Sequence, residues 1–437
     1  MSFDIDRDVS SLMMSKFGRP GVDLLSDDKT SLASLALVNS ESCDGQVDSV
    51  IQTRYWCLYP QSFASRPDYV ANSHRELYES IFGDDAGSVT IEQRKILYKE
   101  AGEKYVVVRT AAVEAISALP NLETLSWGDG YSLDKTFFET ITRCTARHIE
   151  LDKLAIDDAW SLKPLLTPTA WPLRSLNLDV SMALDKWYEL EGKGKTTTHH
   201  LATFFSTLFH LYSPTLESLS WSYLELIRHD GVPDSIGETA ISFPRLRYLR
   251  LNFLKLDSVA ISSFLAAPLK SLDLPVKILD DPSTLDCEPL RDLGAFTVAH
   301  LPREASACKR IAKFISRHTG IRRLYIHESK LALGDTAYLD RFIIPTLSSL
   351  DFSNLASLFL VWGGAPNAQI PEESLRIIGQ LASLEQLSLC AGKFFGWRHQ
   401  WLVDHDKLRH HLSQLKGLTK LALVRDTYPV PLPGSKV

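Results

Sequence analysis

The sequence predicts an α/β solenoid in which short parallel strands line a concave face and helices cover the convex one. Two observations carry this. A six-residue pattern (leucine, two variable residues, leucine, one variable residue, an apolar residue) returns from Leu122 onward, and several stretches between its copies read as amphipathic helices. In order the copies are LETLSW, ARHIEL, LRSLNL, LESLSW, LRYLRL and LKSLDL, starting at Leu122, Ala146, Leu173, Leu216, Leu246 and Leu269. LGAFTV, IRRLYI, LASLFL, LEQLSL and LTKLAL follow from Leu293, Ile321, Leu355, Leu384 and Leu418. Starts lie 23 to 43 residues apart. Their mean of about 30 is slightly above the roughly 20 to 29 residues of a leucine-rich repeat, with irregular insertions making up the excess.

Each element follows from the pattern. Side chains alternate along a strand, so the fourth and sixth residues of a copy point to one side and the third, fifth and seventh to the other. Residues 200–212, 256–267 and 305–318 carry apolar residues three or four apart, as helices packing on one face do. Neither layer buries its apolar side alone; stacking covers both, and the domain lengthens without a wider core. Near residues 347–360 two registers compete, LASLFL from Leu355 and LSSLDF from Leu347. Residues 191–200, 363–373 and 392–401 break the period as loop excursions, the last with four aromatics.

The period divides the 437 residues into three parts. Residues 1–110 lack it and contain apolar or amphipathic segments at 30–42, 73–83 and 91–102 that suit helices, forming an N-terminal cap; residues 111–425 hold the repeats, opening on the helical half-repeat AAVEAISA; residues 426–437 are a proline-rich extended tail. With 45% hydrophobic and 23% charged residues the chain is not disordered overall, and a net charge of -6 gives no general field for a polyanion. Nucleic acid is therefore not an expected partner. Six cysteines without a C-x-x-C pair suit reduced thiols. An acidic start, MSFDIDRD, and the lack of a long apolar run point to an intracellular protein, cytoplasmic or nuclear, without a membrane segment.

Catalytic, cofactor and metal motifs find no support. GKGKT at 192–196 has Glu189 where a phosphate-binding loop needs its first glycine. His199, His200, His210, His399, His405, His410 and His411 lack metal-ligand spacing, and no G-x-S-x-G elbow occurs. Recognition has a better location, the outward positions of the strands. Ser175, Asn177 and Asp179, then Ser218, Ser220 and Ser222, make a shallow floor. Tyr248, Arg250, Asn252, Arg323, Tyr325, His327 and Phe359 stand above it, and tyrosine and arginine combine apolar area with directed hydrogen bonds. The alternative is that an exposed strand face is polar for solubility alone. Glu150, Asp152, Asp179 and Asp273 make the earlier half acidic, a match for a basic segment of a partner.

The repeats LPNLETLSW (119–127), FPRLRYLRLN (243–252) and APLKSLDLP (267–275) resemble those of fungal F-box-like leucine-rich-repeat proteins, and SLASLALVNSES (31–42) resembles the back half of an F-box. That resemblance implies a noncatalytic substrate-recognition adaptor, monomeric outside its complex. Its repeats would hold a protein substrate, and its N-terminal region would bind the Skp1 adaptor of a cullin ubiquitin ligase through Leu32, Leu35, Leu37 and Val38. The chain departs from the family at 19–30, RPGVDLLSDDKT, where the leucine-proline opening of an F-box is absent. The same four residues then serve as local core of a cap, and the chain is an interaction scaffold without a ubiquitin role.

Overall fold

The computed structural model describes residues 52–54, 122–128, 135–141, 144–155, 173–181, 202–223, 235–252, 256–274, 288–302, 304–328, 337–348, 352–363, 369–391, 393–395, 398–401 and 403–424, with isolated positions between them. Leu32, Leu35, Leu37, Val38 and the GKGKT stretch lie outside these residues. The chain forms two compact units, Met1–Ile241 and Ser242–Val437.

In the first unit five parallel strands lie side by side in chain order: β1 (Gln52–Arg54), β2 (Thr124–Gly128), β3 (His148–Ala155), β4 (Ser175–Ser181) and β5 (Ser218–Tyr223). The leucine pattern marks all of them except β1, a three-residue strand in the period-free region that pairs with β2. Helices α1 (Lys135–Ile141) and α2 (Ala202–Tyr212) belong to the same unit. Its core is strongly aromatic. Trp127 packs on Phe137 at 4.9 Å, Phe138 on Phe204 at 5.1 Å, and Trp221 lies between Phe205 at 4.6 Å and Phe209 at 5.2 Å.

The second unit repeats the arrangement. Strands β6 (Tyr248–Asn252), β7 (Ser271–Leu274), β8 (Ala295–Leu301), β9 (Arg323–Glu328), β10 (Ser357–Val361), β11 (Gln386–Cys390) and β14 (Lys420–Val424) form parallel neighbours in that order. Between β11 and β14 the aromatic excursion forms an antiparallel pair, β12 (Lys393–Phe395) with β13 (Arg398–Gln400). The helices are α3 (Ser258–Leu265), α4 (Ala305–Arg317), α5 (Ile344–Leu347), α6 (Glu372–Gly379) and α7 (His405–Leu412), with a π-helical turn at Leu339–Ile343 running into α5. Strand β10 settles the competing registers. LASLFL forms the strand, while Leu347 ends a helix.

The alternation predicted from the leucines is obeyed. Leu249, Leu251, Leu272, Leu274, Leu324, Ile326, Leu358, Leu360, Leu387 and Leu389 are buried. The residues between each pair, Arg250, Asp273, Tyr325, Phe359 and Ser388, are exposed or half-buried, because successive side chains of a strand leave on opposite sides. A second regularity fixes the register. One backbone carbonyl per repeat accepts two N–H groups of the next: Lys270 O from Gly294 and Ala295, Gly294 O from Arg322 and Arg323, Arg322 O from Ala356 and Ser357. Helix α4 buries Ala307, Cys308, Ile311, Ala312, Phe314 and Ile315 against this core, with Phe314 on Phe296 of β8 at 4.9 Å. Its three-and-four spacing is the amphipathic pattern read from 305–318.

Close packing of α6 and α7 gives the first prediction. A Cβ added to Gly379 would collide with the main-chain oxygen of His411. Gly379→Ala is therefore expected to lower stability by about 2 kcal/mol through overpacking, read from the urea midpoint. An unchanged midpoint would mean that the two helices separate freely.

Candidate protein-interaction face

The side chains that do not enter the core form an open sheet face in each unit. In the first, hydrogen bonds bind the acidic positions into rows. Glu150 accepts from Ser126 Oγ and Asn177 Nδ2, both at 3.2 Å, along a register that places these three residues side by side. Asp179 accepts from Ser222 Oγ at 2.7 Å. Of the residues read as a shallow floor, Asn177 and Ser222 thus also hold neighbouring carboxylates in place.

In the second unit all seven residues expected to contact a partner lie on the open side of their strands, in two groups. Tyr248, Arg250 and Asn252 are on β6; Arg323, Tyr325 and His327 are on β9, with Phe359 beside them on β10. Tyr248 is 49% exposed. Tyr325 and Phe359 occupy one register position and stack at 4.5 Å with an interplanar angle of 12°. His327 packs on His300 of β8 at 4.9 Å. Arg250 reaches Asp273 of β7 at 3.4 Å, yet burial outweighs the guanidinium and pushes the Asp273 carboxyl up to about 6.

The two groups are separated by β7 and β8, whose open-side residues Ser271, Asp273, Ala295 and Thr297 lie in register between them. Ala295 and Thr297 escape a reading that follows large polar residues. Their significance is their small size, which is visible only once the strands are placed in order.

A second group of functional-type side chains lies on the core side. Glu328 is 2% exposed. Its Oε1 accepts from the backbone N–H groups of Tyr338 at 2.6 Å and Leu339 at 3.2 Å, and its Oε2 from Gly363 at 3.1 Å. Burial is the largest influence on this carboxyl and the three N–H donors oppose it; the outcome is a value pushed up to about 7, with Asp340 contributing. Asp340 accepts from Trp362 Nε1 at 2.9 Å and Ser374 Oγ at 2.6 Å. Strand parity was the available signal: Glu328 shares the inward phase of Leu324 and Ile326. Every bond named here ties β9 or the π turn to a neighbouring loop or helix, an arrangement suited to support.

Cys144, Cys308 and Cys390 are buried cysteines outside any disulfide. Burial, with the Glu328 charge, pushes the Cys308 thiol up to about 12, and its Sγ donates to the Pro302 carbonyl at 3.2 Å. It is a poor nucleophile. Among the described residues no group of three histidine, cysteine or acidic side chains is placed to hold a metal ion, and no helix is long and apolar enough to cross a membrane. Asp404, beside His405, caps α7 by accepting from the Lys407 N–H at 3.0 Å.

No family model matches the chain, and no curated protein matches it. Among solved structures it is similar to an internalin from Listeria monocytogenes, at 16% identity and a TM-score of 0.35, over 70% of this chain and 69% of that one. The repeat architecture rests on this chain's own succession of strands, helices and buried leucines: it is a leucine-rich-repeat solenoid.

Proposed function

We propose that the chain is a noncatalytic recognition protein that binds a protein partner on the open face of its second unit. The Tyr325–Phe359 stack beside exposed Arg323 carries this reading. These side chains stand on hydrogen-bonded strands, so little ordering accompanies binding, and aromatic residues with arginine are those on which interface energy concentrates. The F-box-like segment extends the proposal to substrate recognition for a cullin ubiquitin ligase, with Skp1 bound through Leu32, Leu35, Leu37 and Val38. Residues 1–110 serve in it as adaptor-binding cap and 111–425 as repeat domain.

Co-purification of the full chain from its source cell tests the extension. Skp1 and cullin are expected with the intact protein and lost on deleting residues 1–60; recovery of neither would leave an interaction scaffold without a ubiquitin role. For the face, Tyr325→Ala is expected to weaken binding of a co-purified partner about 30-fold, corresponding to a hot-spot loss of about 2 kcal/mol. Unchanged affinity in the folded variant would remove this aromatic pair from the interface.

A further inference from the structure

We propose that the open face of the second unit takes an acidic segment of a protein partner, laid across β6 to β9. This rests on the reading of that face as a protein-binding surface and adds the chemistry of what binds.

The shape comes from side-chain size. Tyr248 on β6 and Arg323 on β9 bound a shallow trough floored by half-buried Ser271 and by Ala295, a small side chain that is itself buried, both in register with them. Strands about 4.8 Å apart place β6 and β9 about 14 Å from one another, the span of roughly four residues of extended chain. Next to this trough, two residues along β9, lies the aromatic pair, available to an apolar side chain of the same segment.

The charge comes from the residues entering the strands. Lys270, Arg322 and Arg323 are exposed, and among the described residues none has an ion-pair partner. Arg247 belongs to the same edge, with its Nη1 donating to the Pro268 carbonyl at 2.9 Å. Asp273, the acid within the trough, is engaged by Arg250. Arg291 and Asp292 in the turn before β8 offset each other in charge, and exposed Glu288 ahead of that turn is balanced by exposed Arg245 ahead of β6. The unsatisfied charge along this edge is therefore positive although the whole chain carries -6, and a segment with carboxylates complements it.

The test screens the full chain against a random linear peptide library, beside the Arg322→Glu/Arg323→Glu variant. Wild type is expected to enrich acidic peptides, and the charge-reversed variant, shown folded by circular dichroism, to bind a selected peptide about tenfold or more weakly. Neutral or basic peptides that bind in a manner dependent on Tyr325 would overturn the acidic assignment while leaving a protein-binding face. Selected peptides indifferent to both Tyr325→Ala and the charge reversal, or no enrichment, would count against the face itself. A fluorescent single-stranded oligonucleotide that outcompetes the selected peptide would overturn the proposal in favour of nucleic acid.

Discussion

Replacing Glu328 with alanine is expected to lower the stability of the protein by about 3 kcal/mol or more, because three backbone N–H groups lose their acceptor in a buried site. Urea unfolding measures it, and a loss below about 1 kcal/mol would show that water replaces the carboxylate at little cost. Glu328→Gln removes the ionisable group and keeps one acceptor oxygen, enough for the Tyr338 and Leu339 amides but not for that of Gly363. The folded-state carboxyl is raised from 4.5 to about 7, so between these values the folded protein holds a proton that the unfolded chain has released. Stability from this group is full below 4.5 and is lost as pH rises through about 7. Asp273 acts in the same direction between 3.8 and about 6. The unfolding midpoint is thus expected to fall from about pH 5 to about pH 8, less steeply in Glu328→Gln; equal slopes would remove Glu328 as the source.

Trp221→Ala is expected to cost about 3 to 5 kcal/mol, the range for deleting a large buried aromatic side chain. Trp221 is fully buried against Phe205 and Phe209, and both lose a ring face when it is cut back. Trp221→Phe keeps most of that contact and should cost clearly less. Similar midpoints for wild type and alanine variant would mean that the aromatic core collapses around the gap.

The eleven six-residue copies all form strands, and helices at 202–212, 258–265 and 305–317 fall within the stretches read as amphipathic. These were legible because burial on one side imposes a period of two on a strand and 3.6 on a helix. Strand β1 was not, since QTR carries no apolar alternation and is defined by its pairing with β2. Leu421 shows the converse. It occupies a core position of the pattern, pairs with Leu387 on only one described side, and is 49% exposed.

The candidate site divides in the same way. Position within the repeat is a local property, so the order of residues alone sends Tyr248, Arg250, Arg323, Tyr325 and Phe359 out of the core on the open side. Which of them meet was decided by register between strands distant in sequence: Tyr325 stacks on Phe359, 34 residues away in the chain, while Tyr248 faces Arg323 across two small residues. The buried Glu328 network likewise depends on Tyr338 and Gly363, whose amides converge only when the loops are folded. A repeat writes its direction into each strand, but the partners of a side chain come from neighbouring strands, and their alignment is a property of the assembled sheet.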